Sequence, residues 1–290
     1  MRAHIVCYEN PRSWILGKIA DKLSSILNEF NVDASISDQP DFEADVNHHV
    51  YYLPFEGKKS KLDTLLVTHI DMQEKLNILL GQLKVADGAV FFSQETKNLL
   101  ATAGAPAHKL IAINPPQDEL IKPRKMRVGL LSNVYPKNRK REDLIYDLVS
   151  TTHLSGFKFE IMGSGWEKLA ELLDQHRVKY SLYPEFDYDR YVDLVPQLDY
   201  FLYTGMDEGS MAFLDAMAAD VKTIVTPQGF HLDAGVSIDH PFETADELKE
   251  IFKQIAERKR VRPNAVNLWT WSNYAANHLA FWRKLISQKS

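Results

Sequence analysis

The chain has 290 residues, 45% hydrophobic and 25% charged, which are the proportions of a soluble globular protein. Single cores rarely grow past roughly 250 residues, so this length suits two domains. A formal net charge of -5 gives no general electrostatic case for nucleic acid, and a single cysteine, Cys7, excludes an intramolecular disulfide and a cysteine-based zinc site.

Met1-Arg2 leads straight into a strand-like run, His4 to Tyr8, without the apolar core and cleavage site of a signal peptide. No apolar run approaches the roughly 20 residues of a membrane-spanning helix, so a reducing, cytoplasmic setting is expected. Apolar residues then recur at helical spacing from Trp14 through Ile19, Leu23 and Leu27 to Phe30. Val32 to Ser37, Val50 to Leu53 and Leu65 to Thr68 read as short strands. A second amphipathic helix carries Met72, Leu76, Leu79, Leu80 and Leu83 on one face. Ala89 to Phe92 is a buried strand, and Ser93 caps the helix that follows. Strands alternating with helices point to a parallel sheet with crossover helices.

From Pro115 up to, but not including, Arg127, three prolines and five charged residues break both periodicities and mark an interdomain linker. Alternation then resumes: a strand over Arg127 to Leu131, a helix from about Glu142 to Ser150, and a strand over Phe157 to Met162 that ends in Gly163-Ser164-Gly165-Trp166. A strand over Val178 to Leu182, a helix over Asp187 to Val195 and a strand over Asp199 to Tyr203 follow. After Pro263, Trp269, Trp271, Tyr274, His278, Leu279, Trp282 and Leu285 form an aromatic stripe at helical spacing.

The chemistry-bearing stretch runs from Tyr200 to Asp233: a buried strand, an acidic glycine loop with Asp207, Glu208, Gly209 and Ser210, a short apolar helix with Asp215, a second strand, and a loop with Gln228, Gly229, Phe230 and His231. Open α/β sheets bind ligands at the carboxyl ends of their strands, where such loops fall. Carboxylates beside backbone-rich glycine turns suit a ligand with both hydroxyls and a phosphate.

These residues resemble the C-terminal signature of retaining GT-B glycosyltransferases, most nearly glycosyltransferase family 4. Asp207 and Asp215 keep the spacing of the family's Glu-x7-Glu motif, and Asp215-Ala216-Met217-Ala218 matches its second half. Glu208-Gly209 matches the Glu-Gly start one residue out of register, so the first carboxylate is Asp207, or Glu208 with one residue deleted. An Ala-Asp strand from Ala86, the Gly104-Ala105-Pro106 turn and the exit through Pro115-Pro116 also resemble the family.

The resemblance implies two Rossmann-like α/β domains facing across a cleft: 1–120 on the acceptor side, 121–268 for the nucleotide sugar, and a C-terminal helix, 269–290, crossing back to the first. It implies transfer of a sugar, with retention, from a nucleotide diphosphate donor to a carbohydrate or lipid-linked acceptor, as in surface polysaccharide synthesis, without a required metal or other cofactor. Asp207 or Glu208 would meet the donor sugar and Asp215 the ribose. The family's usual Arg after the first strand of the second domain is absent, because Gly129 is followed by Leu130. Arg139 and Lys140, in the basic run before Glu142, are the candidate diphosphate clamp. Gly163, Gly165, Gly209, Ser210, Gly229 and His231 are further donor-side candidates, with Phe230 departing from the family's Gly-Gly. His69, after a strand of the first domain, is the acceptor or sugar contact. The first loop, Glu9 to Trp14, lacks the family's usual Gly-Gly.

Two other readings fit the same residues: a sugar-nucleotide-binding protein without turnover, and a nucleotide-sugar isomerase on the same fold. Contact with a membrane surface would run through Lys58, Lys59 and Lys61 or through Arg258, Lys259, Arg260 and Arg262, although solvated surface charge accounts for both runs.

Overall fold

The computed structural model describes residues 1–8 and 14–289, apart from the side chains of 235 and 236. The chain divides into two compact units, Met1–Ile121 with Val266–Ser290, and Lys122–Ala265.

The first unit is built on a six-stranded sheet whose strands all run parallel: β1 (Arg2–Val6), β2 (Asp33–Ser37), β3 (Val46–His49), β4 (Leu62–Val67), β5 (Gly88–Phe91) and β6 (Leu110–Ala112). Helices α1 (Ile15–Glu29), α2 (Gln73–Gln82) and α3 (Gln94–Thr102) make crossovers, and Ser93 Oγ caps α3 by accepting from Thr96 N at 3.1 Å. The spatial order β2-β1-β3-β4-β5-β6 reverses direction between β1 and β3. Every residue of β4 and β5 is buried, as strands covered on both faces require.

One strand differs from the expectation. Residues 50–53 lie in turns, and the strand is Val46–His49, four residues earlier. Its sequence, Val-Asn-His-His, carries no apolar alternation, yet all four residues are buried. Each polar side chain finds a partner instead, Asn47 in the backbone of Asp41, His48 Nδ1 in Thr64 Oγ1 at 3.0 Å, and His49 Nε2 in Asp63 Oδ1 at 3.0 Å, and only His48 Nε2 among these atoms is left without one. Pairing of this kind makes burial of polar groups tolerable.

The second unit repeats the plan with β7 (Met126–Leu131), β8 (Phe157–Met162), β9 (Lys179–Tyr183), β10 (Tyr200–Tyr203), β11 (Lys222–Val225) and β12 (His240–Pro241), again parallel throughout. The connecting helices are α4 (Glu142–Thr151), α5 (Glu167–Gln175), α6 (Tyr188–Leu194), α7 (Met211–Ala218) and α8 (Ala245–Ala265). The order β12-β11-β10-β7-β8-β9 reverses between β7 and β10. Read from the other edge it is the 3-2-1-4-5-6 order of dinucleotide-binding folds.

The terminal helix α9 (Trp271–Ser287) follows the second unit in sequence and buries its aromatic stripe in the first, against α1 and the sheet. Trp282 Nε1 donates to Thr64 Oγ1 of β4 at 3.1 Å, fixing the helix across the sheet. Two α/β units, each on an all-parallel sheet, and a terminal helix packed on the first are the elements that the resemblance implies. No described helix is long and apolar enough to cross a membrane.

Candidate functional site

In the second unit the sheet reverses between β7 and β10, and the loops that leave those two strands form the candidate site. A reversal of this kind opens a crevice at the carboxyl ends of the strands. β7 runs into Ser132 to Arg141, and β10 into Thr204 to Ser210.

The two loops are locked together by one buried cation. Lys140 is 7% exposed, and its Nζ reaches Asp207 Oδ2 at 2.8 Å and the Tyr203 hydroxyl. Tyr203 OH donates to Asp207 Oδ1 at 2.5 Å, and Gly209 N donates to the same oxygen at 3.2 Å. Thr204 Oγ1 donates to the carbonyl of Lys140, and Met206 N to that of Arg139 at 3.0 Å. Burial pushes the Asp207 carboxyl up, but the bonds from Lys140, Tyr203 and Gly209 outweigh it and hold it below the usual carboxylate range. Burial, then the bond to Asp207, pushes the Tyr203 phenol up, so it stays a protonated donor.

Arg139, Glu208 and Asp215 are left facing outward. Arg139 has a half-exposed side chain, with its guanidinium 4.2 Å from the Tyr135 ring centre and Nε 3.7 Å from Asp207. Glu208 is exposed, and its carboxylate has no hydrogen-bond or ion-pair partner among the described residues. Ser210 is the N-cap of α7, but its side chain does not cap the helix, so the first-turn amides of α7 lack that partner. Asp215 stands on the exposed face of α7, and Tyr191 OH donates to its Oδ2 at 2.5 Å. No contact joins it to Asp207.

Glycines set the loop shapes. At Gly163 (φ +134°) a Cβ would lie 2.3 Å from the Ser132 carbonyl oxygen, so the turn after β8 lies directly on the loop after β7. Ser164 N donates to Asn133 Oδ1 and Val134 N to the carbonyl of Ser164, both at 2.9 Å. Gly165 has φ +87° and stands against Val134. Gly229 (φ +50°) leaves no room for a Cβ beside the Glu208 backbone, and Phe230 N donates to Glu208 O at 3.0 Å. Gly209 (φ +116°) faces the Phe230 and His231 rings.

His231 lies beneath the acidic loop rather than at its surface. It is fully buried; Nε2 accepts from Ser210 N at 2.9 Å, and Nδ1 meets the Thr226 carbonyl at 3.2 Å. Burial draws its pKa below the ordinary histidine value, in keeping with a neutral ring. It supports the acidic loop from beneath, with no ring nitrogen left for a ligand. Lys140 is likewise spent on Asp207, which leaves Arg139 as the outward member of the basic pair.

His69 belongs to the first unit. It is exposed after β4, with Nδ1 at 2.9 Å from Thr68 Oγ1 and Nε2 accepting from Lys75 Nζ at 3.0 Å, while Lys75 also pairs with Asp71 at 2.6 Å. Of the first loop, 9–13 lie outside the described residues. The lysines at 58 and 61 are paired with Asp87 and Asp45, at 3.0 and 2.8 Å. Among the described residues no cluster of three or more His, Cys, Asp or Glu side chains is placed to hold a metal ion. Tyr203, Thr204 and Tyr191 organise the site without having been signalled by spacing. The one available hint was that tyrosines close β10 and line α6 beside the carboxylates.

No family model matches the chain, and no curated protein matches it. Among solved structures it is similar to a point mutant of S. aureus TarM in complex with fondaparinux, alpha-GlcNAc-glycerol and UDP, at 12% identity and TM-score 0.35, over 92% of this chain and 58% of that one. It is similar to Anabaena HepE in complex with UDP and glucose, at 11% identity and TM-score 0.38, over 99% of both chains. Sucrose-phosphate synthase from Thermosynechococcus elongatus matches at 11% identity and TM-score 0.39, also over 99% of both. The chain thus spans a little over half of TarM and nearly all of the other two. Likeness at this level does not reach individual residues, and the functional reading rests on the chain's own.

Proposed function

We propose that the chain is a glycosyltransferase that takes a sugar from a nucleotide diphosphate donor bound in the second unit. The observation that carries this is the assembly at the β7/β10 reversal: an outward guanidinium, a glycine turn, a free carboxylate and uncapped helix amides, converging at strand ends. Arg139 would hold the diphosphate bidentately, aided by the α7 amides. The glycine turn at Gly163 to Gly165 would admit the nucleotide backbone to backbone. Asp215, already oriented by Tyr191, would accept from the ribose hydroxyls.

Glu208 is the better candidate for the sugar-facing carboxylate, because Asp207 is consumed by Lys140 and Tyr203. In the reaction the bond from the anomeric carbon to the diphosphate breaks. The departing diphosphate takes the bonding electron pair and the charge, and the acceptor oxygen bonds to that carbon as its proton passes to the diphosphate. Arg139 and the helix amides would stabilise that charge without reorganising. The family resemblance implies retention, a carbohydrate or lipid-linked acceptor on the first unit near His69, and a role in glycoconjugate synthesis.

The engagement of Asp207 also favours a second reading, a sugar-nucleotide binder without turnover. A coupled assay of nucleoside diphosphate release from a panel of nucleotide sugars, with and without simple glycoside acceptors, separates the two. Transfer needs acceptor-dependent release that Glu208→Gln abolishes while nucleotide binding persists. Binding without release under any donor and acceptor supports the binder.

A further inference from the structure

The first unit has a second ligand-shaped feature, independent of the His69 loop. Its sheet order reverses between β1 and β3, and the carboxyl ends of those strands carry Tyr8 and His49. At that point lies a cavity of about 280 Å³. Drug-sized ligands occupy roughly 300–1,000 Å³, so this volume suits one small ring.

A three-residue relay ends in the cavity. Asp63, fully buried, has one carboxylate oxygen on His49 Nε2 at 3.0 Å, and the other accepts from the backbone amides of Lys59 and Ser60 at 2.9 Å each. Burial pushes the Asp63 carboxyl up, but His49 and the two amides prevail and keep it below the usual range, an anion that only accepts. In the tautomer whose Nε2–H donates to the Asp63 carboxylate, Nδ1 is the acceptor of the ring. Tyr8 OH lies 3.0 Å from that nitrogen, so its hydrogen is committed inward. The phenol oxygen then meets the cavity with lone pairs alone.

Around that oxygen the lining is mixed. Glu56 supplies a further acceptor and Lys59 a donor, while Pro40, Pro54 and Phe55 make apolar walls. Phe55 is itself held edge-on to the His49 ring, with centroids 4.9 Å apart. Two acceptors beside one donor suit a ligand whose hydroxyls both donate and accept hydrogen bonds, and apolar walls suit the C–H faces of a ring. The relay resembles no feature of the sequence, since His49 and Asp63 are 14 residues apart with no motif between them.

We infer that this cavity is a binding subsite for a neutral monosaccharide unit, with the Tyr8 oxygen, oriented by His49 and Asp63, accepting from a sugar hydroxyl. It deepens the proposed function by naming the acceptor as a saccharide, and rests on that reading only for the role of acceptor. The binding itself stands apart from transfer.

Saturation-transfer NMR on the full chain with methyl glycosides of glucose, galactose and mannose tests it. At least one glycoside should bind the unmodified protein, and Tyr8→Phe, which keeps the ring, should weaken that binding at least tenfold. Glu56→Gln, at an exposed position, gives a second reading should Tyr8→Phe lower stability, and should weaken binding severalfold. Absence of saturation transfer from every glycoside, or equal binding by both variants, overturns the subsite. The same samples are titrated with nucleoside diphosphates. Glycoside binding without nucleotide binding would sink the transferase reading and leave the subsite standing; nucleotide binding that survives Tyr8→Phe while glycoside binding does not supports both.

Discussion

Between α9 and the sheet of the first unit two histidines are buried with no access to water, and they set an acid limit on the fold. His48 and His278 are both fully buried, with ring centroids 4.9 Å apart and Tyr274 and Trp282 packed around them. His278 Nδ1 meets the Tyr274 carbonyl at 2.9 Å, while Nε2 of each ring has no partner. Burial draws His278 down to about 4, and draws His48 well below its ordinary value, with repulsion from His278 and His49 adding to that. Above pH 6.5 both states hold these rings neutral and stability is unaffected. As pH falls below 6.5 the unfolded chain takes up the protons first, so stability falls until the folded pKa is reached. For His278 the slope is about 1.4 kcal/mol per pH unit, amounting to roughly 3 kcal/mol between pH 6.5 and about 4. His278→Phe keeps the ring and removes the titration. Urea unfolding of both proteins, followed through Trp271 and Trp282 fluorescence at half-unit steps from pH 7.5 to 4.5, should give curves that coincide or nearly so above 6.5. Below it the variant should gain about 1 kcal/mol per unit over the parent. Parallel curves across that range would refute the argument.

In the second unit, Lys140→Met leaves the Asp207 carboxylate with Tyr203, Gly209 and the more distant Arg139, and should cost roughly 1–3 kcal/mol by chemical denaturation, where Arg139→Ala, at a half-exposed position, costs within about 0.5. Gly163→Ala forces a Cβ to 2.3 Å from a backbone oxygen at φ +134°, and should lower stability by about 1–3 kcal/mol, with nucleotide affinity falling as the turn moves. Tyr191→Phe frees Asp215 and should weaken binding of ribonucleotides several-fold while leaving the deoxy forms less changed; an equal loss in both would remove Asp215 from the ribose.

Alternation of strands and helices was legible because the apolar runs of β4, β5, β8 and β10 are buried as such, and α9 announced itself by an aromatic stripe that does pack on the first unit. β3 was misplaced for a physical reason. Its Asn47, His48 and His49 are interior by virtue of partners on neighbouring elements, and hydrophobic periodicity carries no trace of a side-chain hydrogen bond. The same blindness hid the Tyr8-His49-Asp63 relay. In the second unit the acidic loop, the glycines and the basic run could be read as a ligand-binding constellation, but not how the charges divide. Lys140 turns inward to Asp207 and Arg139 outward in a run where Lys137, Asn138 and Arg141 all take positive φ, a backbone path with no glycine to flag it. His231 was drawn into the site by its neighbours and proves to be the prop under Ser210.

Binding of a nucleoside diphosphate by the second unit, at the β7/β10 reversal, is the claim on which the functional reading depends most. A thermal-shift panel of nucleosides, nucleoside diphosphates and nucleotide sugars, with and without Mg²⁺, on the parent and Arg139→Ala, tests that directly. A ligand at 100 times its dissociation constant stabilises by about 2.7 kcal/mol. The expected result is a shift from one base as its diphosphate or diphosphate sugar, little from the nucleoside, and a shift much reduced in Arg139→Ala. No shift from any diphosphate, or one untouched by Arg139→Ala, would contradict it.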